Sequence, residues 1–521
     1  MPEHLKALTV ILLLASVVFV FARGPACALG VSIEDYSRRR NLWFGITLTA
    51  FLSHNFWIFI VVAGLLLLTI LPREPNKLAA LYLLLFAVPV FSDAIGGLGI
   101  IKQFFTIDYI RLLALAVLVP AFLSLVKMPE NEGFGRLLPD KLIIGYMVLQ
   151  FGLTLSASTF TNTLRVGIFY SFIDIFLPYY VASRSLRNIE AFRDALMAFV
   201  IAAAVLALVG IFEANRHWLL YISLQSPFNM RISTINYLAR GENLRAMGSA
   251  GHAIVMGYIM AVASGFLLYL KHSLPKWAIW VAGLVLLGGI MAPLSRGPWI
   301  GLAVILFAFS VTSPSFGKVI AWVAILGAIA VPVLVFSPVG KNIVAFLPFI
   351  GSVDADSLSY RQLLLQVGIS VIVQNPLFGA YDYFYSAAMQ ELKQGEGIID
   401  IVNTYLGVAL GSGLVGLTLF MGFFIAVMTI VFRAMRKLAD RTSELYVLGQ
   451  VLFATLLGIS IIIFTVSSIS FIPVIYWSVA GIGIAYVRML ARAEATMETG
   501  PSGSLPAQPG FRPIRAPVFT D

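Results

Sequence analysis

The chain has one cysteine, Cys27, among 521 residues. A lone thiol cannot form an intrachain disulfide, nor can thiolates build a zinc or iron–sulfur site. Histidine is nearly as scarce. His4, His54, His217, His252 and His272 form neither an HExxH motif nor a close pair, so no metal site is expected. Charged residues make up only 12% of the chain, and no phosphate-loop motif supports ATP use. The formal charge of +10 comes from basic residues dispersed among apolar stretches, without the basic stripe that would make nucleic acid a partner.

What the chain has in quantity is hydrophobic side chains, 60% of residues, with a mean hydropathy of +0.93. A water-soluble domain does not have this balance. The apolar runs are continuous, not alternating, and of the length that crosses hydrocarbon as a helix, which predicts an all-α, polytopic transmembrane bundle and not a barrel. Spans are expected near 5–21, 43–71, 78–92, 107–126, 141–158, 164–182, 191–213, 250–270, 277–292, 297–312, 318–337, 403–432, 444–467 and 471–490, about twelve to fourteen in all. The 43–71 run carries His54-Asn55 in its middle and reads as one tilted helix or two short ones. Leu8 to Phe21 precedes Ala26-Cys27-Ala28, which resembles a signal cleavage site; an uncleaved first helix is the preferred reading.

Lysine and arginine in short loops favour the cytoplasm. Arg433, Arg436, Lys437 and Arg441 set that side, with Arg184, Arg187, Arg193, Lys271, Lys276, Arg73 and Lys77 falling on it too. Arg38-Arg39-Arg40 then lies outside unless the 43–71 run is split. The membrane domain is expected over 1–490, with outward, periplasmic loops at about 214–249 and 338–402. A Gly/Pro/Ser-rich cytoplasmic tail, 491–521, is read as disordered. In the second loop, Tyr360 to Gln374 reads as a helix closing before Asn375-Pro376, and Tyr381 to Lys393 as another.

Arginine gathers on the outward side, against the insertion bias: Arg216, Arg231, Arg240 and Arg245 in the first long loop, Arg361 in the second, and Arg111, Arg165 and Arg296 near helix ends. Guanidinium forks match phosphate or carboxylate, so an anionic ligand is one explanation and local ion pairs such as Asp108 with Arg111 are the other. Asp174 lies nine positions from Arg165, about 180° away on an α-helix, and needs another partner or a water-filled cavity.

Three stretches carry a family resemblance. Arg245-Ala246-Met247-Gly248 precedes a small-residue helix, Ser295-Arg296-Gly297-Pro298-Trp299 opens another, and Arg361 precedes Asn375-Pro376-Leu377-Phe378-Gly379. Asn403-Thr404-Tyr405-Leu406 and Gly413-Leu414-Val415-Gly416-Leu417 follow. In this order, over roughly 245 to 420, the motifs resemble the O-antigen ligase and O-antigen polymerase superfamily.

The resemblance implies a metal-independent, cofactor-free glycosyltransferase of the membrane-embedded C type in the bacterial inner membrane. It would act at the periplasmic face on undecaprenyl-diphosphate-linked oligosaccharide, among membrane lipids and with a chain-length regulator as a further partner. Arg245 and Arg361 correspond to the family's functional arginines and would stabilise charge on the departing diphosphate.

Ligases carry a histidine immediately before the asparagine, where this chain has Val402. Asp400 is the expected base, with Glu396 beside it, although either could be a helix-dipole or solvated loop charge. Asn403 reads as substrate ligand or N-cap, and Arg296 as substrate contact or part of a proline-led helix start. Tyr360, Tyr381, Tyr383 and Tyr385 read as sugar-stacking or interfacial aromatics. The glycines from Gly407 to Gly416 are expected to serve close helix packing. The missing histidine favours a polymerase of repeat units over a ligase acting on lipid A-core. A flippase should carry charge near the midplane and internal repeats, neither of which is evident.

Overall fold

Asparagine and serine open the apolar runs. The side chains of Asn55, Asn76, Asn188 and Ser443 accept backbone N–H groups of the first helical turn that follows each, satisfying donors that have no partner within the helix. The computed structural model describes residues 1–97, 99, 103–128, 133–230, 239–240, 243–314, 317, 355–393 and 399–499. Its main helices are α1 (Glu3–Ala28), α2 (Ile33–Leu52), α3 (Phe56–Ile70) and α4 (Lys77–Leu85). An antiparallel hairpin follows, β1 (Ser92–Gly96) with β2 (Gln103–Asp108). Then come α5 (Tyr109–Lys127), α6 (Leu138–Ala157), α7 (Phe160–Ser185) and α8 (Ile189–Arg216). The remainder are α9 (Ala253–Leu270), α10 (Lys276–Met291), α11 (Arg296–Thr312), α12 (Ala355–Gln374), α13 (Thr404–Lys437), α14 (Glu444–Ile463) and α15 (Ile472–Thr499).

Ten helices among the described residues are long and apolar enough to cross a membrane, and α10 and α11 are shorter apolar ones. The chain is a multi-pass membrane protein. α8 is apolar on nearly every face and rich in alanine, so neighbours approach it from all sides; α1, α4, α9 and α10 pack on it. α13 packs on α6 and α14, and α15 on α7. Trp477 of α15 packs against Phe423 and Phe424 of α13 with ring centroids at 4.9 and 5.5 Å.

α8 also marks the two ends of the bundle. Near its start Asp194 receives Arg39 at 2.6 Å, and Arg39 Nε donates to Glu74 at 3.0 Å. Near its end Glu213 accepts N–H groups from Leu220, Met247 and Gly248 at 2.9, 3.1 and 2.8 Å. The 19 positions between these acids span about 29 Å at 1.5 Å per residue, close to the hydrocarbon thickness.

Several expectations change. The 43–71 run is two helices, broken where His54 takes a positive φ of 50° and Asn55 caps α3. Arg39 therefore lies at the Asp194 end of the bundle, with Glu74. The expected 78–92 span is the nine-residue α4, because Pro89 and the hairpin end it and Leu78 to Leu85 are all buried. Tyr381 to Lys393 forms only a tight turn at Tyr383–Tyr385 and a short helix at Ala387–Gln390, where Ser386 caps a segment too short to propagate. α15 runs on to Thr499, past the expected boundary at 490, through the helix-forming stretch Ala491-Arg492-Ala493-Glu494-Ala495.

Thr163–Phe176 winds with π-type hydrogen bonds, so an angle worked at 3.6 residues per turn does not apply there. Asp174 pairs with Arg111 at 2.8 Å, and the Arg111 guanidinium also stacks on Tyr170 at 3.8 Å. The histidines do contain a close pair: His4 and His54 meet edge to face at 4.9 Å, brought together by the fold. The expected 318–337 span and Arg231 lie outside the described residues.

Candidate active site

The turn Asn375–Gly379 docks on α13 through backbone hydrogen bonds. Ala380 N–H donates to Leu410 O at 2.8 Å, Leu414 N–H to Pro376 O at 2.8 Å and Val415 N–H to Leu377 O at 3.1 Å. These bonds require a break in α13, which falls at Gly413 with φ 64° and ψ −167°. Only glycine adopts that conformation readily, and a methyl group there would overlap the Leu377 carbonyl. The glycines expected to serve helix packing thus include one that opens the helix.

At the start of α13, Asn403 Oδ1 accepts Leu406 N–H at 3.1 Å; the cap reading holds, and Asn403 also lines a cavity. Asp400 precedes it. Tyr360 grips its backbone, accepting Asp400 N–H and donating to Asp400 O, both at 3.1 Å. The Tyr360 hydroxyl is therefore engaged in positioning Asp400. Ser467 Oγ donates to the Asp400 carboxylate at 2.7 Å.

Ser467 belongs to the 464–470 loop between α14 and α15, which gave no signal in the sequence and is the hub of this region. Thr404 donates through Oγ1 to Val466 O at 2.7 Å. Arg361 Nη2 donates to Thr465 O at 3.4 Å. Thr465 also packs against Gly297 at the start of α11, beside Arg296, its hydroxyl in the place a Cβ would take. Ser470 Oγ reaches Ala250 O at 3.5 Å. One loop thus touches the segments that carry Arg245, Arg296, Arg361 and Asp400.

The Arg245 segment is pinned from both sides. Glu213 holds Met247 and Gly248, Arg245 Nε donates to Pro293 O at 3.1 Å, and Ala246 N–H donates to Ala292 O at 3.2 Å. His252, not singled out in the sequence, caps α9 by accepting Ile254 N–H on Nδ1 at 3.1 Å. Burial pushes its imidazole down to about 4; the Asp400 charge pulls it up and the Arg245 charge pushes it further down. His252 therefore lies within electrostatic reach of both residues.

A cavity of about 390 Å³, within the range of small-molecule sites, is lined by Asp400, Asn403, Thr404 and Ser467; Arg245, Arg296 and Arg361 are not among its lining residues. Tyr146, Tyr383, Phe384, Phe420 and Tyr476 offer ring surfaces, and Gln150, Asn403, Ser467 and Ser468 offer polar groups. Asp400 is the one charged side chain among its lining residues. Burial raises the Tyr383 phenol to about 12, so it remains a hydrogen-bond donor at neutral pH. Tyr381 lies apart, accepting from Asn162 Nδ2 at 3.0 Å. Glu396 lies outside the described residues. Among the described residues no three histidine, cysteine or carboxylate side chains gather as metal ligands.

Residues 281–421, roughly a quarter of the chain, match the family model described as O-antigen ligase. The match includes Arg296, Arg361, Asp400 and Asn403; Arg245, His252 and the 464–470 loop lie beyond it. No curated protein matches the chain. The ordered motifs, the multi-pass helical bundle and this match support a resemblance to the O-antigen ligase/polymerase superfamily.

Proposed function

We propose that the chain is a metal-independent glycosyltransferase that polymerises undecaprenyl-diphosphate-linked oligosaccharide repeat units into exopolysaccharide or O-antigen, at the periplasmic face of the bacterial inner membrane. The observation that carries this reading is the convergence of Arg361, Asp400 and the Arg245 segment on the 464–470 loop beside an aromatic, hydroxyl-lined cavity. Residues 1–490 form the membrane domain in this reading and 491–521 a cytoplasmic tail, with a chain-length regulator as a further partner.

The acceptor sugar lies in the cavity with its hydroxyl proton toward Asp400. That hydroxyl attacks the anomeric carbon of the donor as the bond from carbon to the phosphate oxygen breaks. The proton passes to the Asp400 carboxylate and the electron pair leaves with the diphosphate, where Arg245 and Arg361 stabilise the developing charge. Arg296 borders the same loop and adds to the anion-facing side, while Asn403 holds the helix start and lines the sugar site. The family description favours a second reading, a ligase that transfers finished glycan to lipid A-core; Val402, in the place of the ligase histidine, speaks against it.

Purified full-length protein in nanodiscs, supplied with lipid-linked repeat units, separates these readings. A ladder of products supports polymerisation, transfer to lipid A-core supports ligation, and translocation without bond formation supports a flippase. Arg361→Ala and Arg245→Ala are expected to abolish lengthening while the protein still accumulates in the membrane. Normal long-chain product from both variants would remove the mechanism.

A further inference from the structure

The cavity takes its rings from separate parts of the chain. Phe420 of α13 packs on Tyr146 of α6 and on Tyr476 of α15, with centroids 5.8 and 6.0 Å apart. Tyr383 and Phe384, which follow the turn docked on α13, stack on each other at 4.3 Å. The polar groups that share the lining are hydroxyls and amides, and several are already committed. Thr404 donates to Val466 O, Ser412 to Val408 O, and Ser468 pairs with the Tyr476 hydroxyl. Asn403 spends its Oδ1 on the cap of α13, which leaves its amide N–H groups for a ligand. Gln150 adds a second neutral amide.

What the lining lacks is a cation. No arginine or lysine is among the described residues that line the cavity, and Asp400 is their single charge. The arginines of the region are held elsewhere, Arg361 on Thr465 O and Arg245 on Pro293 O. A sugar carboxylate or phosphate placed here would face the Asp400 charge with no guanidinium to answer it. A hydrocarbon tail would strip water from the same carboxylate and from the hydroxyls and amides without replacing the lost hydrogen bonds. A neutral sugar meets neither cost, because its C–H face packs on rings while its hydroxyls bond to amides and carboxylate.

We propose that the cavity selects an uncharged sugar as the acceptor end of the substrate and rejects uronic acids and other acidic sugars. This deepens the transferase reading and rests on it. The substrate is divided by charge: the anionic diphosphate belongs with the arginines, and the neutral acceptor end with Asp400 and the rings.

Matched methyl glycosides test the selection on full-length protein in nanodiscs. Glucose, galactose and mannose are each supplied as the neutral hexoside and as its uronate, which differ only in CH₂OH against COO⁻ at carbon 6. Binding is read by saturation-transfer NMR at pH 7. At least one hexoside is expected to bind about a hundredfold more tightly than its uronate, as for like charges a few ångströms apart at a protein's effective dielectric. Asp400→Asn removes the repulsion and should bring the pair within about tenfold. Gln150→Arg sets a guanidinium in the lining and should do the same.

A uronate that binds wild type as well as its hexoside overturns the proposal, and so does a failure of every hexoside to bind. Displacement of a bound hexoside by undecaprenol, which has neither sugar nor charge, would give the cavity to the lipid tail and overturn it too. Discrimination undiminished in both folded variants would assign it to shape and refute the role of charge. If neither variant folds, the wild-type comparison decides alone. Failure here leaves the transferase reading intact as long as wild type extends chains and Arg361→Ala does not. An active Arg361→Ala would instead undo that reading.

Discussion

Alanine in place of Gly413 adds a methyl group where α13 and the Asn375–Gly379 turn meet backbone to backbone. The neighbouring atoms belong to the main chain of Leu377 and Phe378, so no rotamer change relieves the overlap. An L-residue held at φ 64° and ψ −167° costs about 2 kcal/mol in conformation alone. The main-chain overlap adds about 2 kcal/mol more to the docked state, as overpacking does. The combined penalty of about 4 kcal/mol shifts the docked-to-undocked equilibrium roughly a thousandfold.

Native-state hydrogen exchange reads this directly. Protection of the Ala380, Leu414 and Val415 amides should fall roughly a thousandfold in Gly413→Ala, while α8 and α9 keep theirs. Chain extension should fall with it, because Tyr383 and Phe384 follow the turn and line the cavity. Gly152→Ala is the control: nothing lies within 4 Å of a methyl group there, and the change should stabilise α6 by up to about 1 kcal/mol. Gly413→Ala with wild-type exchange and transfer rate would refute the account of the broken helix.

Ser467→Ala removes the hydroxyl held by Asp400; kcat/KM should drop about five- to tenfold, as for one hydrogen bond, with unchanged accumulation, and an unaltered rate would deny Ser467 a positioning role. Arg39→Gln leaves Glu74 and Asp194 without their shared guanidinium and should destabilise by about 3–5 kcal/mol, visible as loss of protein from the membrane; Arg361→Lys should accumulate normally yet lose transfer. His252 should titrate near 4 and not near 6.5. Between those values the unfolded chain binds a proton that the folded one refuses, so stability is full above pH 6.5 and falls as pH drops toward 4. A ring ¹⁵N midpoint near 6.5 would contradict this.

Motif-bearing residues were the legible part of the site. Arg361, Asp400 and Asn403 stand in short ordered patterns, and Asn403 announced a helix start by chemistry that acts within three residues. The 464–470 loop was not legible, because Thr465 and Ser467 act on partners 104 and 67 positions away and nothing in a serine between two apolar runs specifies such a partner. Arg111 and Asp174 are 63 positions apart, so the pairing could not be read along one helix. His252 looked like a solitary histidine at a helix start; its cap role is local, whereas its nearness to Asp400 and Arg245 belongs to the fold. The 78–92 run was apolar enough to suggest a crossing, yet burial inside the bundle asks for the same side chains as lipid does.

The 464–470 loop has a consequence for biogenesis. Its contacts reach back 220 positions, to Ala250, and the loop leaves the ribosome after every segment it joins. A nascent chain threaded only as far as α13 already holds Arg245, Arg361 and Asp400, with Tyr360 able to grip Asp400, but lacks the loop that ties these residues to the Arg245 segment. Competence arrives in one step, when the closing hairpin of α14 and α15 inserts. On the transferase reading proposed above, unfinished or prematurely terminated chains are thereby silent toward the lipid-linked donor.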